Sequence, residues 1–184
     1  MRLFVALNFP EAVKHGLWEA ASPVRARPFP VRWVPRESIH LTVKFLGEVT
    51  AAELPAVREA LGRTAAGSRA LVLTIAGFGV FPNARAPRVV WAGLEPDPAL
   101  ELLHHDAERA FEPLGFTTDG RPFRPHVTLG RTRSARAGEF AALSETLASL
   151  QYESTVRIEA LDLMESLPGA SGVTYHLRYG ERLS

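Results

Sequence analysis

Two stretches of this chain carry the same chemically useful pattern. In Ser38–Gly47, SIHLTVKFLG, His40 is followed two residues on by Thr42; in Arg121–Arg131, RPFRPHVTLGR, His126 is followed by Thr128. Both runs are short, apolar and rich in β-branched residues, so each reads as a strand. A strand sends alternate side chains to one face. His40 and Thr42 then share one face while Leu41 and Val43 turn to a core, and His126 and Thr128 share a face while Val127 and Leu129 turn to a core. An imidazole gives and takes protons near neutral pH, and a hydroxyl can donate to an oxygen that gathers charge. Two such pairs describe one cleft built twice. It suits acid–base chemistry on a phosphodiester, which needs a base for the nucleophile and an acid for the leaving oxygen on opposite sides of phosphorus.

The elements that must position these pairs follow from pattern and punctuation. Arg2–Asn8 reads as a buried strand, and Pro10 opens a helix over Glu11–Ala21. Ser22–Pro30 reads as a loop, Val31–Val34 as a short strand, and Ile39–Phe45 as the first motif strand. Thr50 and Glu53 have the spacing of a capping box for a helix from Ala51 to about Thr64. Leu71–Val80 is predicted as a strand bulged at Gly77 and Gly79, Phe81–Pro87 as a turn, and Arg88–Leu94 as a strand. A helix over Pro98–Leu114 presents Leu102, Leu103, Ala107, Ala110 and Phe111 on one face. Gly115–Arg124 is a loop leading into the second motif strand. Arg133–Gly138 reads as a basic turn, Gly138–Leu150 as a short helix, Thr155–Glu165 as a strand and Val173–Tyr179 as the last strand, with Pro168–Gly172 as the loop between them. Single strands between helices, mixed with hairpins, predict an α+β fold with largely antiparallel sheets. His40 and His126 lie 86 residues apart, nearly half of the 184-residue chain. That spacing is too long for a solenoid repeat and predicts one domain, residues 1–184, made of two lobes that face each other across a central cleft with helices outside.

Composition narrows the chemistry. Apolar residues make up 46%, enough for an ordinary core, and the net charge of +1 gives no global basic field. Any polyanion site must be local. With no cysteine there is no disulfide, no thiolate metal site and no cysteine nucleophile. No stretch approaches the ~20 apolar residues of a membrane span, and Met1–Leu7 is too short for a signal peptide. The expectation is a cytoplasmic protein with no membrane association.

Four blocks in this order, RLFVALNFP, SIHLTVKFLGEV, VVWAGL and RPFRPHVTLGR, resemble the two-histidine (2H) phosphoesterases, and within them the branch called RNA 2′,3′-cyclic phosphodiesterase, historically 2′-5′ RNA ligase. The resemblance covers nearly the whole chain. It implies two pseudo-symmetric α+β lobes with the two His-x-Thr motifs lining the cleft. It implies a monomer that needs no metal and no cofactor and that opens RNA 2′,3′-cyclic phosphates to 2′-phosphomonoesters, with reverse 2′-5′ ligation of RNA, such as tRNA halves, as a second capacity. His40 would be the proton donor to the ribose 3′ oxygen and His126 the proton acceptor from water, with Thr42, Thr128 and Arg131 binding phosphate. A small cyclic nucleotide, such as ADP-ribose cyclic phosphate, would suit the same chemistry. A non-catalytic RNA-binding module is the competing reading from another class, though binding alone needs no acid–base pair.

Two residues sit awkwardly. Arg131 and Phe45 each stand five residues after a histidine, and strand parity would turn both away from the cleft. Gly130 offers a place where a bulge would rotate Arg131 back to phosphate; the bland alternative is a surface ion pair. Nothing comparable precedes Phe45, which is either core or, if it turns in, a platform for the terminal base. His104-His105-Asp106 looks like a metal cluster, but neighbouring helix residues diverge by about 100° and cannot chelate together. Arg121 and Arg124 read either as the cleft mouth or as solvated loop charges. Trp18, Trp33 and Trp91 read as core, and Tyr175 and His176 have no clear reading.

Overall fold

Short apolar runs separated by turn residues favour strands joined by local pairing, and among the described residues every strand pairing is antiparallel. In the computed structural model, which describes residues 1–134, 136 and 138–184, the chain runs β1 (Arg2–Asn8), α1 (Glu11–Ala20), α2 (Ser22–Arg25), β2 (Val31–Trp33), β3 (His40–Glu48) and α3 (Leu54–Ala66). It continues through β4 (Leu71–Phe81), β5 (Val89–Leu94), α4 (Pro98–Phe111), β6 (His126–Thr132), α5 (Leu143–Ala148), β7 (Glu153–Ile158), β8 (Ala160–Gly169) and β9 (Gly172–Arg182). Ala135 and Ala137, within the basic turn expected at Arg133–Gly138, lie outside the described residues.

The strands follow the order β7-β4-β5-β6-β3-β1-β8-β9, with β2 added to β6. Read outward from the middle, this is two four-stranded wings, each led by a motif strand. The wings meet at one pair, Leu41 opposite Val127. Both are fully buried, so the join is sealed by apolar contact as well as by the ladder. The α+β class and the two facing wings agree with the sequence. The main core lies on the side of the sheet opposite the motif histidines, where Leu3, Val5 and Leu7 of β1 meet Val57 and Leu61 of α3 and Leu103 and Phe111 of α4. A smaller core joins Val24, Val31, Val90, Phe140, Leu143 and Leu147.

Four sequence expectations change. Ser22–Pro30 contains α2, which has Pro23 in its first turn, where a missing N–H costs nothing. Thr155–Glu165 is two strands: β7 ends at Ile158 on β4, and after Glu159 the chain crosses to the other wing and pairs β8 with β1. The broken alternation at Ala160–Leu161 marks that crossing. The capping box is present, with the Thr50 N–H donating to Glu53 Oε2 at 2.7 Å and the Glu53 N–H to Thr50 Oγ1 at 3.4 Å, but it closes a turn and the helix begins at Leu54. Leu102 points to solvent, because the buried stripe of α4 is Leu100, Leu103, Ala107 and Phe111.

Candidate active site

Each motif histidine begins its strand. His40 follows a 3-10 turn over Arg36–Ser38, and His126 follows Pro125. Because Leu41 pairs with Val127, His40 faces the Thr128 level of β6 and His126 faces the Thr42 level of β3. The two histidine backbones are then diagonal neighbours, roughly 7–8 Å apart by ladder geometry. A pseudo-twofold through this rung exchanges the pairs.

The two imidazoles are held alike. His40 Nδ1 lies 2.8 Å from the Ser38 carbonyl, and His126 Nδ1 lies 2.8 Å from the Arg124 carbonyl. A carbonyl only accepts, so Nδ1 carries a proton in both rings and Nε2 is the atom left for chemistry. The Thr42 hydroxyl lies 3.0 Å from His40 Nε2 and donates to it when the ring is neutral. Aromatic edges brace both rings: Tyr175 meets His40 edge-on with centroids 5.1 Å apart, and Phe81 meets His126 edge-on at 5.1 Å. Phe4 adds a tilted contact to His40 at 5.0 Å.

Partial burial lowers both imidazole pKa values, and the carbonyl hydrogen bonds oppose that shift. The cations Lys14 and Arg131 lower His40 further, and Arg131 alone lowers His126 further. One guanidinium therefore lies close enough to act on both rings.

Arg131 reaches this face through a bulge. β6 pairs Gly130 with Val90 but Thr128 with Trp91, which leaves Leu129 as an extra residue and brings Arg131 back into phase with His126. The reason Gly130 is needed differs from the sequence expectation. Its φ is not left-handed. A Cβ there would stand 2.5 Å from Val31 Cγ1 and 2.9 Å from Trp33 Cε3, so glycine is required for β2 to close over the strand.

The first motif bulges at the corresponding place without a glycine. β3 pairs Lys44 with Val5 and Thr42 with Ala6, leaving Val43 extra. Val43 and Lys44 both turn inward, and Phe45 returns to the His40 face, where it is 69% exposed and tilted against Phe4 at 6.2 Å. The core reading of Phe45 is thus replaced by a surface one. Lys44 is drawn inward by a charge partner: its Nζ donates to Glu108 Oε2 at 2.9 Å and to the Thr117 carbonyl at 3.1 Å.

Other residues resolve into plain roles. His104 stacks on Phe123 with centroids 3.8 Å apart and lies 3.5 Å from Glu108, so it braces the loop before His126. Among the described residues no group of three or more His, Cys, Asp or Glu is placed to hold a metal ion. Arg121 pairs with Asp119 at 3.2 Å. Trp91, expected in the core, shares the His126 face opposite Thr128, and its ring fills the space a Cβ at Gly79 would need. Trp18 is capped by the Arg25 guanidinium 3.7 Å from its ring. Sequence reasoning missed Asn8, which stands opposite His40 and donates to Asp162 Oδ2 at 2.7 Å. Burial pushes the Asp162 carboxyl up while that hydrogen bond and Lys14 pull it down. Only the placement of β8 beside β1 brings Asp162 here, and no local pattern signals it.

Residues 13–170 match the family described as the 2′-5′ RNA ligase superfamily. The RNA 2′,3′-cyclic phosphodiesterase of Geobacillus stearothermophilus is 40% identical over 124 residues, which are 67% of this chain and 38% of that protein. The chain thus spans well under half the length of that relative. The RNA 2′,3′-cyclic phosphodiesterase of Thermotoga maritima is 35% identical over 133 residues, covering 72% of this chain and 71% of the relative. A crystal structure of a Thermus thermophilus protein superimposes with a TM-score of 0.84 at 28% identity, covering 100% of this chain and 98% of the other.

Proposed function

The chain belongs to the 2′-5′ RNA ligase superfamily, and on that footing we propose that it is a phosphodiesterase opening 2′,3′-cyclic phosphate ends of RNA to 2′-phosphomonoesters. Two like-tethered imidazoles on either side of one rung, each held through Nδ1 so that Nε2 is the nitrogen left for proton transfer, are the observation that carries this reading. His126 takes a proton from water as its oxygen attacks phosphorus. The bond from phosphorus to the ribose 3′ oxygen breaks, and His40 gives that oxygen its proton. Thr42, Thr128 and Arg131 donate to the non-bridging oxygens, where charge is held throughout. Phe45 lies under the terminal base. With the 5′ hydroxyl of a second RNA end in place of water the same two proton transfers give 2′-5′ ligation, with tRNA halves as candidate substrates, and the histidine roles exchange only when that 2′-5′ bond is cleaved back to the cyclic phosphate. We read residues 1–184 as one bilobal unit acting as a monomer in the cytoplasm, without metal or cofactor.

The direct test is a short RNA ending in a 2′,3′-cyclic phosphate, incubated with the protein in EDTA. A 2′-phosphomonoester is expected at an undiminished rate. A 3′-phosphomonoester, or activity that returns only with a divalent ion, would refute the mechanism.

Acid and base must coexist, one ring protonated and one neutral. The acid form is lost as pH rises, and the base form is lost as pH falls. Both pKa values are lowered in the free protein, so the bell in kcat/KM should centre below pH ~6.5. Bound phosphate is anionic and favours imidazolium, so the kcat profile should lie at higher pH than the kcat/KM profile. A kcat/KM optimum well above neutrality would mean that other groups transfer the protons.

Arg131→Ala removes a charge-assisted contact worth about 1.5–3 kcal/mol and should lower kcat/KM about 10- to 150-fold. Arg131→Lys keeps the charge without the fork and should fall between that variant and wild type. Steady-state kinetics at fixed low salt decide, and wild-type values in Arg131→Ala would free the phosphate from this contact.

A further inference from the structure

We propose that Arg32, directly opposite the phosphate-binding Arg131, forms a second anion subsite, which takes the phosphodiester preceding the terminal cyclic phosphate of an RNA strand. The proposal rests on the phosphodiesterase reading and extends it to the polymer. It begins with the way β3 and β2 share one edge of β6. β3 pairs with β6 only at Leu41–Val127, and beyond that point β2 takes over the edge, with Val31 opposite Thr132, Arg32 opposite Arg131 and Trp33 opposite Gly130. Directly opposed residues of an antiparallel pair project to the same face. Val31 and Trp33 close over Gly130 on the core face. Arg32 therefore projects from the other face, the one Arg131 regains after the bulge.

Two arginines directly opposite each other repel, and a ladder normally sets an acid there. Both are exposed, and among the described residues neither has an acid within ion-pairing distance. Acids are not scarce, since the chain has 20 Asp and Glu against 21 Lys and Arg. Some other exposed arginines have found them: Arg36 pairs with Glu11 at 3.0 Å, Arg157 with Glu159 at 2.9 Å and Arg178 with Glu165 at 3.1 Å. Arg32 and Arg131 are set apart by being both uncompensated and directly opposed on one rung, beside the second motif. One phosphate engages one fork well, and a second fork beside it suits a ligand with a second phosphate. Phosphates of one strand repeat at a spacing of ~3.4 Å along a duplex axis and more widely in an extended single strand. Opposed Cα atoms stand about 5 Å apart, and two long side chains can splay from there to successive phosphates. The terminal phosphate lies at the histidines, so the next one 5′-ward falls to Arg32.

The test compares two substrates, a dinucleotide ending in a 2′,3′-cyclic phosphate and the matching mononucleoside 2′,3′-cyclic phosphate, which lacks the inner phosphodiester. The readout is the ratio of their kcat/KM values. Wild type should prefer the dinucleotide. Arg32→Gln should reduce that ratio about five-fold, as expected for one exposed charge pair at low salt, and Arg32→Lys should restore part of it. On a longer single strand, Arg32→Gln should also lower the slope of log affinity against log salt by about 0.7. An unchanged ratio in Arg32→Gln, with both substrates turned over, overturns the second subsite and leaves the phosphodiesterase reading standing. A wild type that turns over neither substrate overturns that reading instead. The subsite is then decided by equilibrium binding of the dinucleotide and mononucleotide 3′-phosphates, where a selective loss for the dinucleotide in Arg32→Gln supports it and an equal loss or none refutes it.

Discussion

His40→Ala and His126→Ala should each lower kcat/KM on a cyclic-phosphate dinucleotide by about 10²–10⁴-fold, the usual worth of one general acid–base step. The two variants should be near-equal in severity, because the rings are held by the same device on either side of the Leu41–Val127 rung. They should differ in their residual pH dependence. Without the acid at position 40, activity no longer falls as pH rises; without the base at position 126, it no longer falls as pH drops. That reciprocal loss of limbs assigns the roles, which equal rate losses would not. Both rings are only partly buried, so circular dichroism and thermal melting should show a folded protein. Retention of more than half the wild-type rate by either folded variant would remove that histidine from the mechanism.

Lys44→Ala destabilises the fold by about 3–5 kcal/mol, the cost of leaving a buried carboxylate without its partner. Lys44 and Glu108 side chains are 3% and 11% exposed, with 2.9 Å between Nζ and Oε2. The lysine also holds the Thr117 carbonyl at the start of the loop that leads to His126. Removing both charges together, as Lys44→Met with Glu108→Leu, should recover most of the loss, because the pair's attraction barely exceeds its desolvation cost. Urea denaturation followed by tryptophan fluorescence measures both variants. A Lys44→Ala loss under about 1 kcal/mol would show that Glu108 is satisfied without the lysine. The bulge that turns Phe45 outward ends in Lys44, so the double variant, though stable, should also bind a terminal base less well. That appears as a raised KM with kcat nearly held.

Period-two alternation is a local property, and it was enough to place His40 and Thr42 on one face, His126 and Thr128 on one face, and Leu41 and Val127 behind them. The repeated motif, half a chain apart, implied two facing wings, and the longer blocks around it resemble the family to which the chain belongs. Composition confined any polyanion site to a local patch. None of this reached the positions five residues beyond each histidine. Parity is counted along one strand, but bulges arise where two strands disagree in register, and the reasons for these two are not local. Lys44 turns in because Glu108 waits on α4, and Gly130 lacks a side chain because Val31 and Trp33 of β2 occupy its space. The same holds for Tyr175 against His40, Phe81 against His126 and Asp162 against Asn8. Each contact joins strands that the sheet order brings to one side of the site but that lie far apart in the chain. The crossing at Glu159, which carries β8 to the opposite wing, decides most of them, because strand order is set by where whole apolar faces bury and not by any single stretch of residues.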